Sequence, residues 1–476
     1  MKRKIAQFKR TTSQLLFSAG VLVVALSFLP YGFADQGPTK SPSPTAAQQQ
    51  PTVVVQPGSA APVKQASQAQ TSSGPDSKWY SSFSKLFSEL SAEDVGAKPR
   101  IRPHFAFNQG FVSNANLGQS QADAAWGARI APGISISLPF DRLYGMVDYT
   151  YAFSTFQGRE TSANLNTHNL DMLLRYDLTD STTIGVSNNI QWSDIPLMPN
   201  DTFMLESLVT ELNHRFTNKF SSNTKYTFQY FNDRSTSDFT SRENDFSDNG
   251  ITEALSYDVT RAINVTPSFA WHTRDFKRVR QKDYWQVSPY FDTTYKLGSK
   301  TTLGGRFGWA FRQFREGDDH ESELIYGASL SHLMGRKFVW NVNYDKRLTD
   351  TYDTDFIYRE DAETETLDNY DRNFRVIKTH RISTTADYYF TEKISGGVFG
   401  NFQFASGEKE DNVVTRKKNH EKEMEVGVRA GYRINRFLSL NMLYSFGRRF
   451  SSNDEETLSR RTYTFHKVTG GLNIQL

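Results

Sequence analysis

From residue 100 onward, apolar side chains fall on every second position. Leu170, Met172, Leu174, Tyr176 and Leu178 alternate with Asp171, Arg175 and Asp177. Ile263, Val265, Pro267, Phe269 and Trp271 alternate with Asn264, Thr266 and Ser268. Leu303, Gly305, Phe307, Trp309 and Phe311 do so against Arg306 and Arg312, and Met424, Val426, Val428, Ala430, Tyr432 and Ile434 against Arg429 and Arg433. The chain closes on Val468, Gly470, Leu472, Ile474 and Leu476. A period of two predicts strands with one apolar and one polar face. About eighteen such stretches of about ten residues can be counted, the length of a tilted membrane-spanning strand.

Soluble sandwiches also alternate, so the connections decide. Tight ones fall at Pro139–Arg142, Thr179–Thr182, Thr260–Ala262, Gly298–Thr301, Gly335-Arg336 and Asn435-Arg436. Long polar ones span 114–125, 155–166, 193–202, 233–249, 274–283, 347–373 and 405–421. Short turns alternating with long loops are the mark of an outer-membrane barrel, whereas Greek-key crossovers do not sort this way. The predicted fold over 100–476 is therefore an all-β, transmembrane, antiparallel up-and-down barrel of about 18 strands. It must close, because a bilayer offers no partner to an open sheet edge. An even strand count returns both termini to the periplasm. The polar residues noted on the apolar face, His214, His332, Lys378, His380 and His466, are expected at strand ends. Tyr284, Trp285, Phe338 and Phe390 suit interfacial aromatic girdles.

The N-terminal residues read differently. Five cations within the first ten residues precede an apolar run, Leu15–Leu29, then Pro30 and the small-residue site Gly32-Phe-Ala34. This plan predicts a secretory signal over 1–34. Residues 35–78 hold seven prolines and no aromatic residue, the composition of a disordered linker. Within it, Pro51-Thr-Val-Val-Val-Gln56 looks like the energy-coupling box of TonB-dependent transporters, although a low-complexity valine run is the plainer reading. Trp79, Phe83, Leu86, Phe87 and Leu90 recur at helical spacing and predict one short amphipathic helix over 79–96.

Composition sharpens this picture. Hydrophobic residues make up 37% and no 20-residue apolar run occurs, which excludes a polytopic helical membrane protein. Aromatics reach 14%, too many for a disordered chain. Cysteine is absent, which removes disulfides, thiolate metal sites and a cysteine nucleophile. The net charge of +3 becomes slightly negative without the first ten residues, so the basic balance is no argument for nucleic acid.

The polar face is where chemistry could reside. It carries Asp148, Asp171, Arg175, Asp177, Glu211, Arg215, Arg306, Arg312, Asp345, Arg381, Asp387, Arg429 and Arg433. Acids gather on the third to sixth strands, and arginines on the eleventh, fourteenth and sixteenth. Either the charges set a transverse field across a constriction, or they pair off as any wet lumen requires. Aromatics fall mostly on the other face. The loop 347–373 holds nine acids and reads first as a solvated surface loop. Enzyme signatures are lacking: no G-x-S-x-G or H-E-x-x-H occurs, and His380/Ser383 or His466/Thr469 are weak nucleophile–base pairs. No cofactor and no metal cluster is implied.

Several hairpins share one style. Leu255-Ser-Tyr-Asp-Val-Thr260 enters Ile263-Asn-Val-Thr-Pro-Ser268, and Gly431-Tyr-Arg-Ile-Asn-Arg-Phe-Leu-Ser-Leu440 enters Asn441-Met-Leu-Tyr-Ser-Phe-Gly447. With the closing Val468–Leu476, they make residues 100–476 resemble the beta-barrel porin 2 type of outer-membrane proteins. The resemblance implies an outer-membrane channel with no catalytic residues, and similar barrels accompany exopolysaccharide export. The terminal Leu476 departs from the aromatic residue that the barrel-assembly machinery usually recognises. The expectation is thus passage of solutes through a mixed-charge lumen in the Gram-negative outer membrane, among lipid and lipopolysaccharide. Exopolysaccharide export with a periplasmic partner on residues 35–96, and surface binding through loop 347–373, are the alternatives.

Overall fold

The computed structural model describes residues 99–113, 124–140, 142–158, 162–194, 202–233, 245–277, 283–315, 320–349, 374–410, 416–452 and 463–475. The predicted signal, linker with its Pro51–Gln56 box, helix 79–96, most of loop 347–373 and Leu476 lie outside them.

Eighteen strands follow in order: β1 (Arg100–Val112), β2 (Ala125–Pro139), β3 (Leu143–Gly158), β4 (Ser162–Thr179), β5 (Thr182–Asp194) and β6 (Thr202–Arg215). Then come β7 (Phe220–Asp233), β8 (Phe246–Asp258), β9 (Ile263–Phe276), β10 (Tyr284–Leu297), β11 (Thr301–Phe314) and β12 (His320–Met334). The last six are β13 (Phe338–Thr349), β14 (Phe374–Tyr389), β15 (Ile394–Glu410), β16 (Arg416–Arg433), β17 (Leu438–Ser452) and β18 (Tyr463–Gln475). Each strand pairs antiparallel with its sequence neighbour, and β1 pairs with β18, as in Phe107↔Leu472. The sheet is closed, so no ladder is left with an open edge. The described residues hold no helix.

Pleating separates the two faces of every strand. On β11, Leu303, Phe307, Trp309 and Phe311 are exposed and point outward, Phe307 at 60%. Between them Ala310 and Arg312 point inward and are buried, Arg312 at 2%. The short turns match the predicted ones. Gly298 and Gly335 take φ of 72° and 66° there, left-handed values that favour glycine.

Three expectations need correction. The loops 155–166 and 405–421 are mostly ladder: β3 and β4 stay paired to Gln157↔Ser162, and β15 and β16 to Glu410↔Arg416. Their backbone bonds continue past the apolar band, where polar residues such as Asn164 and Asn166 of β4 read like loop. Tyr284 is no girdle residue, since it turns inward and is 1% exposed, whereas its neighbour Trp285 points out. The outward face also carries acids that the sequence reading missed, above all Glu253 in the middle of β8. Its register partner Phe269 is an outward residue.

Candidate functional site: the inner wall of the barrel

The thirteen charged residues expected on the polar face all lie at inward register positions. Those nearest the short-turn end are the most exposed. Arg175 Nε stands 3.3 Å from Asp177, with both side chains above 40% accessible. Arg429 makes two bonds to Asp387, at 2.9 and 2.6 Å. That pair spans β15 at Gly397, which registers with both residues, and a Cβ there would come within 2.2 Å of Asp387 Oδ1. Arg215 and Arg433 turn to the short turns themselves, donating to the carbonyls of Asp180 and Glu392 at 3.4 and 2.9 Å.

Midway along the strands, several charged groups meet wall partners, although Asp148 and Asp171 register directly against each other. Asp148 takes a bond from His104 at 3.0 Å, and Asp171 one from Asn189 at 2.6 Å. Arg306 grips Asp292 with two bonds, at 2.6 and 2.7 Å, and lies over the Tyr290 ring at 4.4 Å. Glu211 registers with Lys225, and Asp345 with Arg381. Asp345 also approaches Arg347 at 3.3 Å. Bidentate pairs of this kind fix two long side chains and cancel most of each other's field. The mixed charge of the wall is thus organised largely as local pairs.

Toward the long-loop end, the inward side chains are buried. Asp248 accepts from His272 at 2.7 Å and from Arg274 at 2.9 and 2.6 Å, and Arg274 is 1% exposed. Arg274 lies over the Phe246 ring at 4.5 Å. Arg312 stacks over Tyr284 at 4.1 Å and donates to Gln286 at 3.0 Å. Inward aromatics border these groups: Phe203, Phe231, Phe246 and Phe276 form one buried cluster, with Tyr284 and Phe314 in another. Arg449 and Lys467 are buried on the far strands. The wall therefore runs from a wet, paired section near the short turns to a water-poor, aromatic and cation-bearing section near the long loops.

The sequence reading missed most of this second section, including Asp248, His272, Arg274 and the inward aromatic row. Residues 233–249 and 274–283 read as loops from their polar composition, so no strand alternation marks Asp248 and Arg274 as inward. Asp292 was visible by such alternation on β10. His380 and Ser383 are three residues apart on β14 and so face opposite ways, as do His466 and Thr469 on β18. His380 and His466 instead meet the hydroxyls of Tyr344 and Tyr444, both at 3.0 Å. Among the described residues, no group of three His, Asp or Glu side chains is placed to hold a metal ion.

No protein-family model and no curated protein matches the chain. Among solved structures, it is similar to OccK5 (OpdH) of Pseudomonas aeruginosa, at 9% identity, covering 79% of this chain and 98% of that one, with a TM-score of 0.43. It is also similar to the FrpB iron transporter of Neisseria meningitidis, at 8% identity, covering 79% and 81%, with a TM-score of 0.46. A ferric enterobactin receptor (PfeA) mutant of Pseudomonas aeruginosa gives 8% identity, 80% and 81% coverage and a TM-score of 0.45.

Proposed function

We propose that the chain is a channel of the Gram-negative outer membrane, carrying small polar solutes through its lumen. The observation that carries this reading is the closed ladder with an exposed apolar outer band and a charge-bearing inner wall. Such a surface is stable where lipid covers the outside and water fills the inside. An eighteen-stranded barrel is too wide for wall side chains alone to fill. The described residues start on β1 and end on β18 at the short-turn end, so short turns in the periplasm put both of these strand ends there. Lipid and lipopolysaccharide then cover the outer band, and the barrel-assembly machinery inserts the chain.

Within this reading, the two sections of the wall divide the work. The wet section near the short turns is a vestibule whose paired charges favour neither sign strongly. The section holding Arg312 and Tyr284 is the constriction, where a cation in poor contact with water acts most strongly on a passing solute, whereas Arg274 is neutralised by Asp248. The test is uptake of uncharged sugars of graded size into liposomes bearing the refolded mature chain. Permeation that falls off with size supports the channel. Impermeable liposomes containing folded, inserted barrel oppose it.

A further inference from the structure

The outward face is not uniform. Over β9 to β11 it presents Val265, Pro267, Phe269, Phe291, Phe307 and Trp309. Over β5 to β8 the apolar face, which carries Ile190, Leu208, Ile251 and Leu255, is interrupted by hydrogen-bonding side chains that form a polar stripe on four adjacent strands. Glu253 of β8 accepts from Thr224 of β7 at 2.5 Å. Tyr226 donates to Asn249 at 2.9 Å, and Asn188 of β5 to Glu206 of β6 at 3.3 Å. Tyr230 receives Lys277 at 2.6 Å. A carboxylate with one hydroxyl partner is poorly matched to hydrocarbon, so this stripe calls for a covering surface that is itself polar.

We infer that a second copy of this chain covers the stripe, in a two-fold dimer whose axis stands along the barrel between β6 and β7. The inference rests on the membrane reading above. Such an axis keeps depth unchanged and, at the depth of Thr210, sets β8 of one copy against β5 of the other and β6 against β7, the tilted strands of the two copies crossing there. Depth can be counted from the short-turn ends. Glu253 lies five residues from Asp258, and Asn188 six from Thr182, so the carboxylate meets the amide of the other copy. Glu206 and Tyr230, nine residues from Arg215 and ten from Phe220, lie higher on the tilted strands and off the axis. Thr210 and Tyr226, five and six residues from those same ends, meet beside the axis. Glu253 thus faces a donor at its own depth, and its two-fold mate does the same, which is the self-complementarity an isologous interface requires.

The chain has no cysteine, so single cysteines report neighbours without background. Thr210→Cys, next to the axis, is oxidised in intact outer membranes. Phe307→Cys on β11 is the control for random collision. The expected result is a disulfide-linked dimer of this chain from Thr210→Cys and none from Phe307→Cys. Adding Glu253→Leu should lower cross-linking by about tenfold, the scale of a lost hydrogen bond between membrane segments. Equal cross-linking at both positions, none at either, or capture of a different protein overturns the dimer. Heat-shifted gel mobility confirms that each variant is folded. A folded chain absent from the outer-membrane fraction overturns the membrane reading itself, which separates the two failures.

Discussion

At the residue scale, the inner wall is governed by a few gripping pairs. Arg306 and Asp292 are both little exposed, and their two bonds leave neither charge bare. Removing one partner strands the other in a poorly hydrated place. Arg306→Gln should therefore cost about 3–5 kcal/mol of unfolding free energy, and the double variant Arg306→Gln/Asp292→Asn should recover much of it. Urea unfolding of the lipid-reconstituted barrel reads both. At the turn Gly298, where φ is 72°, Gly298→Val should cost about 1–2 kcal/mol by the same assay, because a Cβ is crowded in that conformation. Much of this scale was legible. Arg306 announces its inward direction by alternating with Leu303, Phe307 and Phe311. Its gripping partner did not announce itself, because pairing across strands depends on register, which one strand's pattern does not contain.

At the element scale, each strand is a two-faced ribbon whose apolar face is only as long as the membrane. Phe307 sits six residues from the start of β11 at Thr301, well inside the outward band. Phe307→Arg should destabilise the barrel by about 2–4 kcal/mol, while Gln313→Arg, near the long-loop end of the same strand, should cost about 0–1 kcal/mol. Folding titrations in lipid vesicles separate the two. The same logic explains what was misread. The apolar run marks where hydrocarbon ends, but hydrogen bonding does not end there. The ladder therefore carries β3, β4, β15 and β16 beyond the stretches that their side chains advertise. Asp248 and Arg274 sit in such extensions, and for that reason the buried cluster escaped the sequence. Glu253 was missed differently: it interrupts the apolar face of β8 between Ile251 and Leu255, where a polar residue is least expected.

At the scale of the whole molecule, closure was legible, because alternation, loop sorting and the demand for paired backbone groups agree on it. The graded lumen was not. It arises where side chains from β6 to β11 meet inside the barrel, and no single stretch of sequence encodes that meeting. If the water-poor section is the constriction, Arg312→Ala should raise the open conductance and shift reversal potential toward cation preference, since it removes both bulk and a positive charge.

The most direct test of the account is single-channel recording of the refolded mature chain in a planar bilayer under a salt gradient. Discrete open steps whose size grows with salt are the expected result, with Arg312→Ala giving larger steps. A folded, inserted barrel that shows no steps in either form would contradict a conducting lumen.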